Sequence, residues 1–328
     1  MEKRLNIALL AGGNSSEREI ALQSAAQIYR ALDKERYNIF LIDLNHRDWS
    51  YTAADGSIWQ VDKNDFSISV KGEKTIFDYA LILIHGTPGE DGKLQGYLEM
   101  MEIPFSSCSM TSSVITFDKM TTKQTLRGKV NLAREVFLRR GEEYNGDKIV
   151  AELGLPLFVK PNASGSSFGV TRVTKAEELD KAIALAFTES DEILIEECIT
   201  GREMGCGVMI AGGKEYIFPI TEIIAKNAFF DYEAKYTTGM SEEITPADIT
   251  EEVKRELNRM TLEAYRTCRC SGVVRVDFIV TEEGKPYLIE LNSIPGMSGG
   301  SIVPKQAREM GISLGELYDI IIQDTYRK

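Results

Sequence analysis

A segment of alternating apolar residues, VVRVDFIVTEEGKPYLIELN at 273–292, carries side chains whose spacing suits phosphate chemistry. Its central Glu-Gly pair predicts a β-hairpin in which paired residue numbers sum to 567. Asp277 then lies opposite Glu290. Arg275 lies opposite Asn292 on the same face of the hairpin. Facing carboxylates repel, so we predict a magnesium or manganese ion on Asp277, Glu290 and Asn292, with exposure or a register slip as the alternative.

The segment KPNASGSSFGV at 160–170 resembles a phosphate-binding loop in composition but not in order. The P-loop pattern ends in Gly-Lys-Ser/Thr before a helix, whereas here Lys160 precedes the glycines and a strand follows. Lys160 ends an apolar strand beside a Gly/Ser-rich loop that can expose backbone N–H groups, so we predict a phosphate contact. The alternative is a surface lysine at a strand edge.

The turn NSIPGMSGGS at 292–301 follows the hairpin directly. Pro295 and Gly296 favour a tight turn, and the backbone N–H of Gly296 would then lie near Arg275. Donors in this arrangement can bind negative charge that develops in a transition state, as in an oxyanion hole. A simple connecting turn is the equal alternative.

Two further turns follow strands in the first third of the chain, in GGNSSEREI and HGTPGEDGKLQG. Glu17 lies in the first turn of a predicted helix, where its carboxylate can meet a ligand's ammonium group or only the helix dipole. His85 stands at a strand end, and a lone histidine is more often structural than catalytic. Ligands of open α/β sheets lie beyond the carboxyl ends of strands, which makes both turns candidate sites.

Composition excludes several functional classes. The chain has 328 residues, 43% of them hydrophobic, and a formal net charge of −12, which argues against a general nucleic-acid binder. The five cysteines lack zinc-type spacing and predict reduced thiols. No apolar run approaches the ~20 residues of a membrane span. We therefore expect a soluble cytoplasmic protein with no membrane partner.

The order of predicted elements indicates two kinds of architecture. Strands at 5–10, 39–42 and 79–84 around a helix at 16–32 predict an α/β region with a parallel sheet. Shorter strands and helices from about 105 onward predict an α+β region. The aperiodic, aromatic-rich segment 222–250 predicts a lid, with an ordinary surface loop as the alternative.

Eight motifs, in order along nearly the whole chain, resemble the ATP-grasp superfamily and, within it, the D-alanine:D-alanine ligase family. They are GGNSSEREIALQSA, HGTPGEDGKLQG, FDK, KPNASGSSFGV, LIEECITGRE, FDYEAKY, GVVRVDF and IELNSIPGMSGGSIVP. The resemblance implies three domains: an N-terminal α/β substrate domain at 1–104, a central ATP-grasp subdomain at 105–199 and a C-terminal catalytic domain at 200–328. It also implies ATP as substrate, magnesium as cofactor and a homodimer.

The same resemblance implies roles for residues that match the motifs. The expected ATP contacts are Lys119 and Lys160 on the phosphates, with Glu196, Glu197, Ile199 and Glu203 on the adenosine. The expected magnesium ligands are Asp277, Glu290 and Asn292, which is the set that the hairpin register predicts independently.

The remaining implied roles concern two D-alanine substrates. Glu17 is expected to hold the first ammonium group and His85 to line that site, while Ser166 links it to the lid through Tyr236. Arg275 and the Gly296 amide would form the oxyanion hole. The second carboxylate would be held by Lys235 and Ser301.

The resemblance implies ATP-dependent joining of two D-alanine molecules through an acyl phosphate, for peptidoglycan precursors. The pair Lys235–Tyr236 favours an amine as second nucleophile, with D-lactate or D-serine as alternative second substrates. A non-catalytic nucleotide-binding module is the alternative from another class. A dehydrogenase is disfavoured because the N-terminal glycines lack dinucleotide-binding spacing.

Overall fold

The computed structural model describes residues 3–15, 17–163, 165, 168–225 and 241–326. Three of the predicted site residues, Ser166, Lys235 and Tyr236, lie outside these ranges, as does the middle of the predicted lid. The described chain forms three sheets, whose strands follow one another along the sequence without mixing.

The first sheet has seven strands in the order β6-β5-β4-β3-β2-β1-β7. Its strands are β1 Leu5–Gly12, β2 Tyr37–Asn45, β3 Asp48–Thr52, β4 Ile58–Asp62, β5 Ser67–Val70, β6 Glu73–Ile76 and β7 Tyr79–Ile82. Strand β1 is parallel to both β2 and β7, whereas β2 to β6 form an antiparallel meander. The apolar sequence of β1 is explained by burial on both faces.

Helices cover both faces of this sheet. Its helical neighbours early in the chain are α1 Arg18–Ala31 and α2 Lys93–Met100. The face that carries Ile7 and Leu9 packs against α1, and also against the last helix of the chain through Leu317 and Ile321. The opposite face, with Ala8 and Leu10, packs against α2.

The second sheet has four antiparallel strands in the order β10-β9-β11-β8. Two helices, α3 Met110–Phe117 and α4 Lys119–Leu126, precede it in the chain. Its elements are β8 Glu135–Arg139, α5 Gly146–Leu153, β9 Leu157–Pro161, β10 Thr171–Val173, α6 Leu179–Glu189 and β11 Glu192–Glu197. Alternate residues of β9 and β11 pack against α5 and α6, as a half-covered sheet requires.

The third sheet has six strands, with β13 paired to β12 beside the path β15-β14-β12-β16-β17. Its strands are β12 Arg202–Ala211, β13 Lys214–Ile217, β14 Thr221–Ala225, β15 Ser241–Ile244, β16 Val274–Val280 and β17 Pro286–Asn292. The helix α7 Glu251–Thr267 packs on it through a core that also includes Leu126 of α4. Two final helices follow, α8 Ile302–Glu309 and α9 Leu314–Tyr326.

The predicted fold class is confirmed, since a partly parallel first sheet is followed by antiparallel sheets with helices. Two features of the structure differ from the sequence analysis. The antiparallel strands β3 to β6 were not predicted from the sequence. Within the predicted lid, residues 222–225 and 241–244 are strand rather than loop, because they form the pairs of β14 with β15.

The lengths of the helices and the state of the cysteines complete the description of the fold. Among the described residues, no helix combines the length and apolar character needed to cross a bilayer. The five cysteines are free thiols, three of them buried.

Candidate active site

The hairpin of β16 and β17 brings four polar side chains together. The predicted register is confirmed, because Arg275 pairs with Asn292 and Asp277 pairs with Glu290. Near the turn, however, the pairs follow a different sum, as Phe278 faces Leu288. A bulge between Asp277 and Phe278 shifts the register by one residue, so the two predicted pairs result from the turn and the bulge together.

Asp277 is neutralised by its neighbours on the same face. Arg275 donates from Nε to Asp277 Oδ1 and from Nη2 to Asp277 Oδ2, both at 2.8 Å. Asn292 Nδ2 donates to Asp277 Oδ2 at 2.9 Å. The arginine is 17% exposed and the aspartate 6% exposed, so this bidentate pair is largely withdrawn from water. Arg275 therefore supplies part of the positive charge that the sequence analysis assigned to a metal ion between the facing carboxylates.

The charges around Arg275 identify a wider group of acidic residues. Burial alone would lower the pKa of Arg275, but the carboxylates of Asp277, Glu290 and Glu203 raise it overall. Glu203 lies on β12, the strand that pairs with β16. Three predicted carboxylates thus surround one buried guanidinium group.

The turns after β1 and β7 meet near this cluster. Burial lowers the pKa of His85, and the charge of Arg275 also lowers it, while the carboxylate of Glu17 acts in the opposite direction. The His85 ring bonds through Nδ1 to the Ile294 carbonyl oxygen at 3.0 Å, which requires a proton on Nδ1. The structure therefore brings Glu17, His85 and Arg275 into one region, as predicted.

Glu17 also reaches the loop of residues 160–170. Its Oε2 atom lies 3.3 Å from where a Cβ atom would stand on Gly165, so the carboxylate lies against the backbone of this loop. Ser166 follows directly but lies outside the described residues. The contact joins the first turn of α1 to the loop predicted to hold phosphate.

Lys119 and Lys160 are brought together by Asn162. Lys160 is the last residue but one of β9 and is 7% exposed, whereas Lys119 is the first residue of α4 and is half-buried. The Asn162 carbonyl oxygen accepts from the Lys119 backbone N–H at 3.2 Å. Its side-chain Oδ1 accepts from the Met120 N–H at 2.8 Å. Asn162 thereby anchors the start of α4 to the end of β9.

Glu196 lies between two buried lysines. Its Oε2 is 2.5 Å from Lys160 Nζ, and its Oε1 accepts from Lys123 Nζ at 2.6 Å. Burial alone would raise the pKa of Glu196, but the two ammonium groups lower it below its ordinary value. The carboxylate therefore stays charged inside the protein.

Lys123 is a site residue that the sequence analysis missed. It is 5% exposed, donates to the Ala133 carbonyl oxygen at 2.7 Å and lies 3.2 Å from a carboxylate oxygen of Glu135. The available signal was its position one turn after Lys119, which places both lysines on one side of α4. No local pattern marked Glu135, because its partners come from other elements.

The other predicted adenosine contacts occupy different surroundings. Glu197 lies on the face of β11 opposite Glu196, where Arg134 Nε donates to it at 2.7 Å. Ile199 is half-buried in the segment that joins β11 to β12, and Glu203 follows on β12. These residues lie along one connection at the edge of the lysine cluster.

The turn after β17 places Gly296 against Ser301. A Cβ atom at Gly296 would stand 2.9 Å from Ser301 Oγ, so the backbone of Gly296 is in contact with the side chain of Ser301. Ser301 is the residue before α8, and its hydroxyl is 2.8 Å from that of Ser298. The two predicted residues of this turn are therefore adjacent.

Comparison with known proteins identifies the family. Two family models match, described as D-ala D-ala ligase N-terminus over residues 6–108 and D-ala D-ala ligase C-terminus over residues 129–323. A D-alanine--D-alanine ligase of Bacteroides fragilis strain YCH46 is 44% identical over 322 residues, covering 98% of this chain and 99% of that protein. The chain belongs to the D-alanine–D-alanine ligase family.

Solved structures similar to this family member support the same fold. The VanG D-Ala:D-Ser ligase of Enterococcus faecalis has a TM-score of 0.89 at 30% identity, covering 99% of this chain and 100% of that one. A D-alanine--D-alanine ligase of Bacillus anthracis complexed with ATP has a TM-score of 0.80 at 33% identity, with coverages of 99% and 98%. The predicted ATP-grasp architecture is confirmed by this likeness.

Proposed function

We propose that this protein joins two D-alanine molecules to D-alanyl-D-alanine at the expense of ATP, for peptidoglycan precursors. The observation that carries the proposal is the meeting of Glu17 and His85 from the first sheet with Arg275 from the hairpin. An amino-acid anchor then lies beside a group suited to phosphate charge, as ligation through an acyl phosphate requires.

ATP is proposed to bind between the second and third sheets. Lys119 and Lys160 would contact its phosphates, because Asn162 holds both near one another and lysine binds phosphate as a point charge. The adenosine would lie along the connection that carries Glu196, Glu197, Ile199 and Glu203. Glu197 would act there through its backbone, since its side chain is paired with Arg134.

Magnesium is proposed to bind Asp277, Glu290 and Asn292. Within the described residues, His, Cys, Asp and Glu side chains form no group of three or more that could hold a metal ion by themselves. Two carboxylates and an amide oxygen nevertheless fit magnesium, which is usually bound by one or two carboxylates together with substrate phosphates. When bound, the ion would neutralise charge on the transferring phosphoryl group. Manganese would suit the same oxygen ligands.

The first amino acid is proposed to bind between Glu17 and His85. The Glu17 carboxylate would hold its ammonium group, with Ser166 and Tyr236 linking the site to the lid. A carboxylate oxygen of this D-alanine attacks the γ-phosphorus, and the bond to ADP breaks. The product is an acyl phosphate whose carboxylate charge has been masked.

The second amino acid completes the reaction. Its ammonium group releases a proton to water, and the resulting amine attacks the acyl carbon. The nitrogen loses a second proton, which leaves with inorganic phosphate as the peptide bond forms. Arg275 and the Gly296 N–H would stabilise the oxyanion of this step. Lys235 and Ser301 would hold the carboxylate of the second amino acid.

The test is an ADP-release assay with D-alanine, with and without magnesium, in parallel with D-lactate and D-serine across pH. We expect D-alanine-dependent ADP release and the dipeptide as product. No ADP release with D-alanine would refute the proposal, and faster turnover with D-serine or D-lactate as second substrate would reassign it. An Asp277→Asn variant that keeps full activity would refute the magnesium site.

Family membership also supports three assignments about the whole protein. We propose a homodimer in the cytoplasm, with domains at 1–104, 105–199 and 200–328. Light scattering of the purified protein tests the dimer, and a monomer across the working concentration range would refute it.

A further inference from the structure

Ile294 links the hairpin to the first sheet. It stands two residues after the end of β17 and two residues before Gly296. Its side chain is 5% exposed and belongs to the core that Ile84, Leu94 and Leu98 form against the first sheet. A residue of the last third of the chain thus completes an apolar core built by the first third.

The backbone of Ile294 is bound by the segment after β7. His85 Nδ1 donates to the Ile294 carbonyl oxygen at 3.0 Å. The residue after His85 is held by Glu90, whose Oε2 accepts from the Gly86 N–H at 2.6 Å. Glu90 therefore fixes the backbone beside the histidine that binds Ile294.

The turn that carries Glu90 is itself closed by reciprocal hydrogen bonds. The Glu90 N–H donates to the Gly86 carbonyl oxygen at 2.7 Å, while the Glu90 side chain accepts from the Gly86 N–H. This turn therefore holds the Glu90 carboxyl group, and with it the backbone next to His85, in one place. A fixed acceptor positions its partner more accurately than a side chain that is free to rotate.

We propose that Glu90 is a positioning residue that, together with His85, fixes the Ile294 peptide and so places the Gly296 N–H relative to Glu17. The inference rests on the proposed function, in which Glu17 and Gly296 act on the same amino acid from opposite sides. Glu90 acts on the reaction only through the backbone that it binds.

The role requires a hydrogen-bond acceptor rather than a negative charge. Burial and the nearby carboxylate of Glu17 raise the pKa of Glu90 to about 8, so the neutral acid is favoured at neutral pH. A glutamine has the same length and keeps one acceptor oxygen. An alanine removes the acceptor and leaves the buried N–H group of Gly86 without it, which is costly for a buried donor.

The experiment compares the full-length wild type with Glu90→Ala, Glu90→Gln and the matched control Glu99→Ala. Glu99 lies on α2 and also accepts a backbone N–H, from Met110 at 2.8 Å, but it does not contact Ile294. The measurements are kcat, KM for ATP, KM for D-alanine, and hydrogen exchange of the peptide that covers 293–301.

We expect Glu90→Ala to lower kcat by about 10- to 100-fold, with KM for ATP within about twofold, because small displacements of catalytic groups have effects of this size. Glu90→Gln should restore kcat to within about threefold of wild type. Exchange at 293–301 should be faster in Glu90→Ala alone, and Glu99→Ala should match wild type in kcat and exchange.

Two results would overturn the inference. Wild-type kcat and exchange in folded Glu90→Ala would show that Glu90 positions nothing. Equal loss of kcat in Glu90→Gln and Glu90→Ala would show that the carboxyl charge or proton is needed directly. If the wild type releases no ADP with D-alanine, the proposed function fails, and the exchange measurement still decides whether Glu90 holds the turn.

Discussion

Replacing Asn162 by alanine should weaken ATP binding although this side chain is not among the proposed ATP contacts. Asn162 is 1% exposed, and its amide group makes three hydrogen bonds. Oδ1 accepts from Met120 N at 2.8 Å, and Nδ2 donates to Asp118 Oδ2 at 2.6 Å and to Glu192 Oε2 at 3.2 Å. Two of the three bonds therefore involve carboxylates.

The expected loss of stability follows from these bonds. A neutral hydrogen bond contributes about 1 kcal/mol and one to a charged group about 1.5–3 kcal/mol. The simple sum is at least ~4 kcal/mol, but water can replace part of it because both carboxylates are half-buried. We expect the free energy of unfolding to fall by about 3 kcal/mol. The two carboxylates would also lose the amide that lies between them, which adds repulsion at the start of α4.

The assay measures KM for ATP and for D-alanine together with urea unfolding. The matched control is Asn145→Ala, because Asn145 caps α5 by accepting from the Lys148 N–H at 2.9 Å. Loss of this exposed cap should cost about 1 kcal/mol. For Asn162→Ala we expect KM for ATP to rise about tenfold, equivalent to about 1.4 kcal/mol, with KM for D-alanine within about twofold.

The reasoning would be refuted if Asn162→Ala had the same KM for ATP as Asn145→Ala. It would also be refuted if both KM values rose equally, since Asn162 is expected to act only through the ends of α4 and β9. A loss of stability no larger than that of the control would contradict the hydrogen-bond energies.

Three further predictions concern buried groups. Gly89→Ala should fail to fold or melt far below wild type, because its Cβ would lie 2.1 Å from the Ile84 carbonyl oxygen; a wild-type melting curve would contradict this. Lys123→Met should raise KM for ATP and lower the free energy of unfolding by several kcal/mol, because the buried Glu196 carboxylate loses one of its ammonium partners. An unchanged KM and an unchanged free energy of unfolding would show that Lys123 does not support the ATP site. The third prediction concerns pH. The pKa of Glu90 is about 8 in the folded protein and 4.5 in the unfolded chain, so between these values the folded state binds one more proton. The free energy of unfolding should therefore fall as the pH rises from about 4.5 to about 8. Glu90→Gln should flatten this dependence in denaturant titrations, and an equal slope in both proteins would disprove it.

The hairpin shows how far local pattern can predict a site. Alternation and a glycine turn gave the pairs of Arg275 with Asn292 and of Asp277 with Glu290, both of which are present. The bulge after Asp277 was not predicted, because a two-residue turn at Glu283 and Gly284 already gave both pairs. Its trace on β17 is the spacing of the buried Leu288 and Leu291, which lie three residues apart and so break the alternation. Nor did the pattern indicate that Arg275 would bind Asp277 in a bidentate pair, although residues two apart share a face.

Other parts of the site depend on contacts that no local pattern contains. Glu135 and Glu196 lie opposite each other on the paired strands β8 and β11, and the packing of α4 beside the second sheet adds Lys123. The hydrogen bond from His85 to Ile294 joins residues separated by almost two thirds of the chain. The strands β3 to β6 were missed because they have only four or five residues each and are largely exposed, so their apolar periodicity is weak.

The last helix has a consequence for the synthesis of the protein. Residues Leu317 and Ile321 of α9 complete the core on one face of the first sheet, and Tyr79 of β7 shares a hydrogen bond of 2.6 Å with Thr325. While the chain is still being translated, that face lacks its cover and exposes apolar surface to water. The first sheet to leave the ribosome is thus among the last to be finished, and truncation of the final 15 residues should make the nascent protein prone to aggregation.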